Sequence, residues 1–68
     1  MAKKSIGRMT RFCDGAITGS DPARESSLDW LERVWRDDTT EALSVERDGS
    51  TVKVVTTDGH VLEYCWQP

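Results

Sequence analysis

The hydrophobic pattern in the first half of the chain predicts one amphipathic helix between residues 20 and 38. On a helical wheel, the large apolar residues of this segment share one arc of about 160°; they are Leu28, Trp30, Leu31, Val34 and Trp35. Two helix starts are compatible with the sequence, one at Asp21-Pro22 and one at Ser26, which has capping-box spacing. The two acids Asp37-Asp38 mark the expected end, because negative charge is unfavourable at a helix C-terminus.

From Ala42 onward, apolar and polar residues alternate, which is typical of half-buried strands. Two Asp-Gly pairs, at positions 48–49 and 58–59, divide this region into three runs. Asp-Gly suits the positive φ angles of tight hairpin turns. The predicted fold is therefore α+β: one amphipathic helix packed on a three-stranded antiparallel meander, with an N-terminal arm or short hairpin.

The turns also predict which residues share a sheet face. If both Asp-Gly pairs form two-residue loops, Val45 lies opposite Val52, and Val52 lies opposite Cys65. Opposed residues of neighbouring strands share a face. A one-residue slip would invert a strand, and the agreement of the two turns favours this register. The face predicted to pack on the helix consists of Leu43, Val45, Val52, Val54, Val61 and Cys65.

The same register leaves apolar and aromatic residues on the opposite face. They are Val55, Leu62, Tyr64 and Trp66. One helix covers only one side of a small sheet, and an exposed apolar patch is typical of a binding surface. Tyrosine and tryptophan are also enriched among interface hot spots. We expect this face to dock on another protein; the alternative is that the N-terminal residues fold back and cover it.

The N-terminal region has a different character from the rest of the single domain. Residues 1–19 are predicted to form a basic arm or a short hairpin around Asp14-Gly15, and residues 20–68 form the α+β body. Residues 1–12 contain four basic residues and no acid, although the net charge of the chain is −3. The arm suggests an alternative function, nucleic-acid binding, through Lys3, Lys4, Arg8, Arg11 and Phe12.

All twelve acidic residues follow this basic stretch, so the body would repel a long polyanion. Protein binding is therefore the first hypothesis and nucleic-acid binding the second. In a more specific version of the protein-binding hypothesis, the acidic body occupies a basic nucleic-acid channel of a partner protein, with carboxylates in place of phosphates. The residues predicted for this surface are Asp29, Glu32, Asp37, Asp38 and Glu41.

The sequence contains no recognisable set of catalytic or metal-binding residues. His60, the single histidine, directly follows a turn glycine, where solvent exposure is expected, and no nucleophile and acid accompany it in a known pattern. Cys13 and Cys65 lie far apart, and the sequence leaves open whether they are bridged. Without paired Cys or His residues at short spacing, no metal site and no cofactor are predicted.

These patterns predict a non-enzymatic protein-binding module that regulates or inhibits a larger protein or complex. Phage-encoded inhibitors of host machinery, anti-CRISPR proteins included, are proteins of this type, and a homodimer is a further arrangement. No apolar run approaches the roughly 20 residues that cross a bilayer, and no secretory signal is visible. A cytoplasmic location without a membrane partner is therefore expected.

Overall fold

The computed structural model describes residues 6–37 and 40–68. Within them, an antiparallel sheet of five strands has the order β2-β1-β5-β4-β3. The helix α1 connects an N-terminal hairpin to a C-terminal meander. In chain order the elements are β1 (Gly7–Cys13), β2 (Ala16–Ala23), α1 (Ser26–Asp37), β3 (Ala42–Asp48), β4 (Thr51–Thr56) and β5 (Val61–Gln67).

The predicted three-stranded sheet is wrong, because the N-terminal hairpin adds two strands to it. Asp14 and Gly15 both have positive φ, at 54° and 88°, as a two-residue hairpin turn requires. β1 then pairs with β5, from Arg8 opposite Gln67 to Cys13 opposite Leu62. β5 is therefore an interior strand, and the N-terminal residues from Gly7 onward belong to the sheet.

β2 also decides where the helix begins. Asp21-Pro22, one of the two predicted helix starts, lies inside β2, and the strand runs on to Ala23. α1 consequently begins at Ser26, the other predicted start. The hairpin thus crosses the boundary at residue 19 that the sequence suggested.

The predicted register of β5 is wrong by one residue. The turn before β5 is a three-residue loop, residues 57–59, in which Gly59 has a φ of 90°. Thr56 N–H donates to the His60 carbonyl oxygen at 2.8 Å, closing the loop. Val54 therefore pairs with Leu62 and not with Glu63. Because side chains alternate along a strand, this slip moves every residue of β5 to the other face.

β3 keeps the predicted face for Val45 but not for Leu43. The turn residues are Gly49 and Ser50, so Val45 lies opposite Val54, two positions from the predicted partner. A shift of two leaves the face unchanged. Leu43 falls in an irregularity of the β3–β4 pairing and is 70% exposed, whereas Ala42 packs against the core. The prediction that Leu43 is a core residue is therefore wrong.

The core lies between α1 and one face of the sheet. Among the described residues, the buried apolar side chains are Met9, Leu28, Val52 and Val54, and Leu62, Tyr64 and Trp66 pack against them. The Trp66 indole crosses β1 and donates from Nε1 to the Ala23 carbonyl oxygen at 2.8 Å. A Cβ at Gly7 would collide with that indole ring, so the crossing requires glycine at this position.

Within the same ranges, no helix combines the length and the apolar character that crossing a membrane demands.

Candidate functional site

A groove separates α1 from the β1–β2 hairpin on the helix side of the sheet. It forms because α1 makes its main strand contacts with β3 and β4, at one side of a sheet that is five strands wide. The volume of the groove is about 340 Å³. Its lining residues are Met9, Arg11, Asp21, Ala23, Ser27, Trp30, Leu31 and Tyr64.

The groove combines apolar and aromatic surface with one ion pair. Met9 is buried, whereas Trp30 on the helix is 59% exposed. Arg11 Nη2 lies 3.0 Å from Asp21 Oδ2, and both side chains are about half-exposed or more. Exposed ion pairs contribute little to folding stability. The Arg11–Asp21 pair therefore supplies polar groups at the groove without strongly stabilising the fold.

Of the predicted apolar docking residues, only Tyr64 lines this groove. Leu62 and Trp66 pack against the core on the helix side. The prediction that they lie on the sheet face away from the helix is therefore wrong. The cause is the three-residue loop before β5. Val55 lies on the face away from the helix, opposite Ser44 and Val61, and is half-buried there.

The predicted acidic surface is divided by ion pairs with arginines. Arg47 Nη1 on β3 lies 2.7 Å from Asp29 Oδ1 and 3.3 Å from Glu32 Oε1. Arg36 Nη1 lies 2.8 Å from the other carboxylate oxygen of Glu32. The hydrogen bond to Asp29, followed by the neighbouring charges, raises the pKa of Arg47. These two helix carboxylates therefore join α1 to β3, which reduces the negative charge they offer to a partner.

The remaining acidic residues of that prediction lie beyond the helix or at its end. Asp37 is the last residue of α1 and is exposed, and Asp38 lies outside the described residues. Glu41 is exposed, and its carbonyl oxygen accepts a hydrogen bond from Thr57 N–H at 2.8 Å. The five predicted acids therefore do not form one uniform surface in the described part of the chain.

The predicted basic arm is a strand, and its arginines point to opposite faces. Lys3 and Lys4 lie outside the described residues. Arg8 donates from Nε to Ser20 Oγ at 2.9 Å on the face away from the helix, and Phe12 occupies that face too, opposite Ile17. Arg11 is on the helix side at the groove. Arg8 and Arg11, the two predicted basic residues that the structure describes, therefore do not make a continuous phosphate-binding stripe.

A separate polar cluster lies at the neighbouring turns before β2 and β5. His60 Nδ1–H hydrogen-bonds to Asp14 Oδ2 at 2.8 Å, and Val61 N–H donates to Asp14 Oδ1 at 2.9 Å. The hydrogen bond from Val61 is the main reason that the pKa of Asp14 is lowered. The hydrogen bond to Asp14 raises the pKa of His60. His60 is at an exposed turn, as predicted, but it has a carboxylate partner 46 positions away in sequence.

Cys13 adjoins this pair, with its Sγ 3.9 Å from Asp14 Oδ2. Desolvation and the adjacent carboxylate raise the pKa of the Cys13 thiol. Cys65 lies on the face away from the helix, and Thr51 Oγ1 donates to its Sγ at 3.7 Å. Both cysteines are free thiols, which answers the question of a disulfide that the sequence left open.

Most residues of the groove were not predicted from the sequence, although the helix contains one signal of it. Trp30 lies at the margin of the apolar arc of the helix, and Leu28 lies at the opposite margin. A residue at the margin of such an arc becomes exposed when the helix sits off-centre on its sheet. Leu28 is fully buried and Trp30 is largely exposed, so the helix turns the Leu28 margin of its arc, and not the Trp30 margin, toward the core.

Comparison with protein-family models, with curated proteins and with solved structures found no match to this chain.

Proposed function

We propose that this chain is a non-enzymatic protein-binding module that receives its partner in the groove between α1 and the β1–β2 hairpin. The observation that carries the proposal is the exposure of Trp30, a residue 59% accessible, which lines the groove together with Tyr64 and the buried Met9. Tyrosine and tryptophan in such positions are typical of interface hot spots. A volume of about 340 Å³ accommodates one or two side chains of a partner.

The two edge strands of the sheet disfavour the addition of a partner's strand, which leaves docking in the groove as the favoured mode of binding. Edge strand β2 contains Pro22, which lacks a backbone N–H, and its pairing with β1 is irregular next to Phe12. Edge strand β3 has an irregularity at Leu43, and Arg36 Nη2 donates to the Val45 carbonyl oxygen at 2.9 Å. Proline, bulges and occupied backbone groups all disfavour pairing with another strand. A partner is therefore expected to bind by side-chain insertion.

The charge of the chain indicates what surrounds the inserted side chain. The net charge is −3, and all the acids lie after residue 12. Complementary potentials accelerate association and select partners. We therefore expect an apolar anchor on a basic protein surface. A regulatory or inhibitory role would follow from occupying that surface.

Nucleic-acid binding by the N-terminal residues is not the function we propose. Arg8 and Arg11 lie on opposite faces of the sheet, and Arg11 is paired with Asp21. A polyanion tracking one face would meet only part of the basic charge, and phosphate neutralisation is what drives such binding.

The experiment compares Trp30→Ala with Ile17→Ala in affinity capture from the native host, followed by measurement of binding to the purified partner. Ile17 is 67% exposed and does not line the groove, so it is the matched control. We expect the partner to be retained by the wild type and by Ile17→Ala. Trp30→Ala should raise the dissociation constant by about 30-fold, which is the effect of losing a hot-spot residue. Affinity should also fall with added salt.

Any one of four results would overturn the proposal. A partner bound equally well by Trp30→Ala would mean that the groove is not part of the interface. An affinity that does not change with salt would mean that the partner's binding surface is not basic. Capture abolished by nuclease treatment would favour the nucleic-acid hypothesis. If the isolated chain forms a dimer that Trp30→Ala dissociates, the groove binds a second copy instead.

A further inference from the structure

We infer that Cys13, Asp14 and His60 form a site for one Zn²⁺ ion, separate from the groove. The thiol sulfur, a carboxylate oxygen and an imidazole nitrogen of these residues all lie within 4.8 Å of one another. Within the described part of the chain, this is the group of such side chains that could hold a metal ion. None of the three lines the groove.

The fold brings the three ligands together through strand pairing. Cys13 ends β1, Asp14 begins the following turn, and His60 directly precedes β5. Because β1 pairs with β5, the two turns lie side by side, and Asp14 N–H donates to the Val61 carbonyl oxygen at 2.8 Å. The positions of the ligands are thus set by backbone hydrogen bonds that do not involve a metal.

The Asp14 carboxylate is oriented for this role by a neighbouring amide. Val61 N–H occupies Oδ1 at 2.9 Å, which leaves Oδ2 directed toward His60 Nδ1 and Cys13 Sγ. Hydrogen bonds of this kind hold metal ligands in the orientation for coordination and increase the affinity for the metal. The side chains of Asp14 and His60 are about half-exposed, so an ion and a coordinating water can reach them.

The distances are close to those of a tetrahedral zinc site. At the tetrahedral angle, zinc bonds of about 2.0–2.3 Å place neighbouring ligand atoms about 3.3–3.8 Å apart. The separation of Cys13 Sγ and Asp14 Oδ2 is 3.9 Å, and that of Asp14 Oδ2 and His60 Nδ1 is 2.8 Å. To admit the ion, the second contact must widen by about 0.5 Å, and the hydrogen bond between His60 and Asp14 is replaced by their two bonds to the metal. Side chains at turns can supply this movement.

The donor set selects the metal. A thiolate with an imidazole suits zinc and other borderline-soft ions, whereas magnesium and calcium require oxygen ligands. Three protein ligands leave a fourth position for water. On binding, the Cys13 thiol loses its proton to solvent. A neutral His60 moves its proton from Nδ1 to Nε2 by exchange with water, so the imidazole coordinates through Nδ1 and only the Cys13 proton is released per ion. An imidazolium His60 loses its Nδ1 proton to solvent as well, so that two protons are released.

The test is titration of the reduced full chain with Co²⁺, followed by displacement with Zn²⁺. Cys65→Ser is the matched control, since it removes a thiol outside the cluster. We expect one Co²⁺ per chain, with a thiolate-to-cobalt charge-transfer band in the wild type and in Cys65→Ser. The band should be absent in Cys13→Ser. Affinity should be at least about tenfold weaker in His60→Gln, by analogy with the loss caused by disturbing a metal shell. Zn²⁺ should raise the melting temperature of the wild type.

Amide spectra of each metal-free variant establish that it is folded before the titration is interpreted. The inference is overturned if the wild type shows no thiolate band, or if Cys65→Ser loses the band as completely as Cys13→Ser. It is also overturned if the ion binds at one per two chains with formation of a dimer. Groove binding by Trp30→Ala is measured separately, so failure of this site and failure of the proposed function are distinguishable.

Discussion

Two leucines show how strongly local geometry controls the contribution of an apolar residue. Leu28, on the first turn of α1, is fully buried against the sheet, whereas Leu43, in the irregular part of β3, is 70% exposed. Both belong to apolar patterns in the sequence. The difference arises because an irregularity in strand pairing interrupts the alternation that would have turned Leu43 inward.

Replacement of each leucine by alanine should separate these environments. Leu28→Ala should reduce the free energy of unfolding by about 2–5 kcal/mol through lost burial and a residual cavity. Leu43→Ala should change it by less than about 0.5 kcal/mol. Urea denaturation followed by tryptophan fluorescence measures both. If Leu28→Ala is unfolded without denaturant, Leu28→Met keeps most of the side-chain volume and allows the free energy of unfolding to be measured. Equal effects of substitution at Leu28 and Leu43 would contradict the burial assigned to them.

At the scale of elements, one loop residue decides the orientation of β5. The three-residue loop before β5 carries Gly59 in a left-handed conformation, with φ 90°. This loop places Leu62, Tyr64 and Trp66 on the helix side, and Cys65 on the other. A two-residue loop would have reversed the faces. Alternation of apolar residues could not decide the matter, since β5 has apolar residues at both parities.

Substitution at Gly59 tests the loop. Gly59→Ala should reduce the free energy of unfolding by about 1–2 kcal/mol, because a Cβ is unfavourable in the left-handed region. Gly59→Asn should lose less, since asparagine tolerates that region better. Chemical denaturation of the two variants and the wild type measures the difference. Wild-type stability in Gly59→Ala would mean that the loop does not need a positive φ.

At the scale of the whole molecule, the structure is a thin two-layer slab with extents of 47 × 25 × 16 Å. One layer is the sheet and the other is α1, which leaves one sheet face without a covering layer in the described residues. A core of this size rarely supplies more than about 3–5 kcal/mol of stability. A partner bound in the groove, or an ion bound at the turns, would increase this modest stability, because a ligand that binds the folded state shifts the folding equilibrium toward it.

Hydrogen exchange should report this architecture. Amides of the interior strands β4 and β5, which include Val52 and Val54, should exchange at least about tenfold more slowly than those of edge strands β2 and β3, because edge amides open by local fluctuation. Amide exchange followed by NMR at several protein concentrations provides the measurement. Protection of β2 equal to that of β4, and increasing with concentration, would instead indicate that a second chain pairs with that edge.

Features that depend on residues close together in the chain could be predicted from the amino-acid pattern alone. The apolar arc predicted the helix, the Ser26 start was one of two predicted, and Asp14-Gly15 formed the hairpin that was one alternative for the N-terminal residues. Periodicity and turn chemistry act over a few residues, so they can be recognised without tertiary information. The sequence likewise placed Val45, Val52 and Val54 on a common face, since an error of two residues preserves parity.

Features that depend on pairing between residues far apart in the chain emerged only in the folded protein. The choice of β5 as the partner of β1 turned a three-stranded sheet into a five-stranded one and placed Asp14 beside His60. The off-centre position of α1 opened the groove beside Trp30. Such arrangements follow from competition among non-local contacts for burial and hydrogen bonds across the whole chain, and no short stretch of residues encodes that competition.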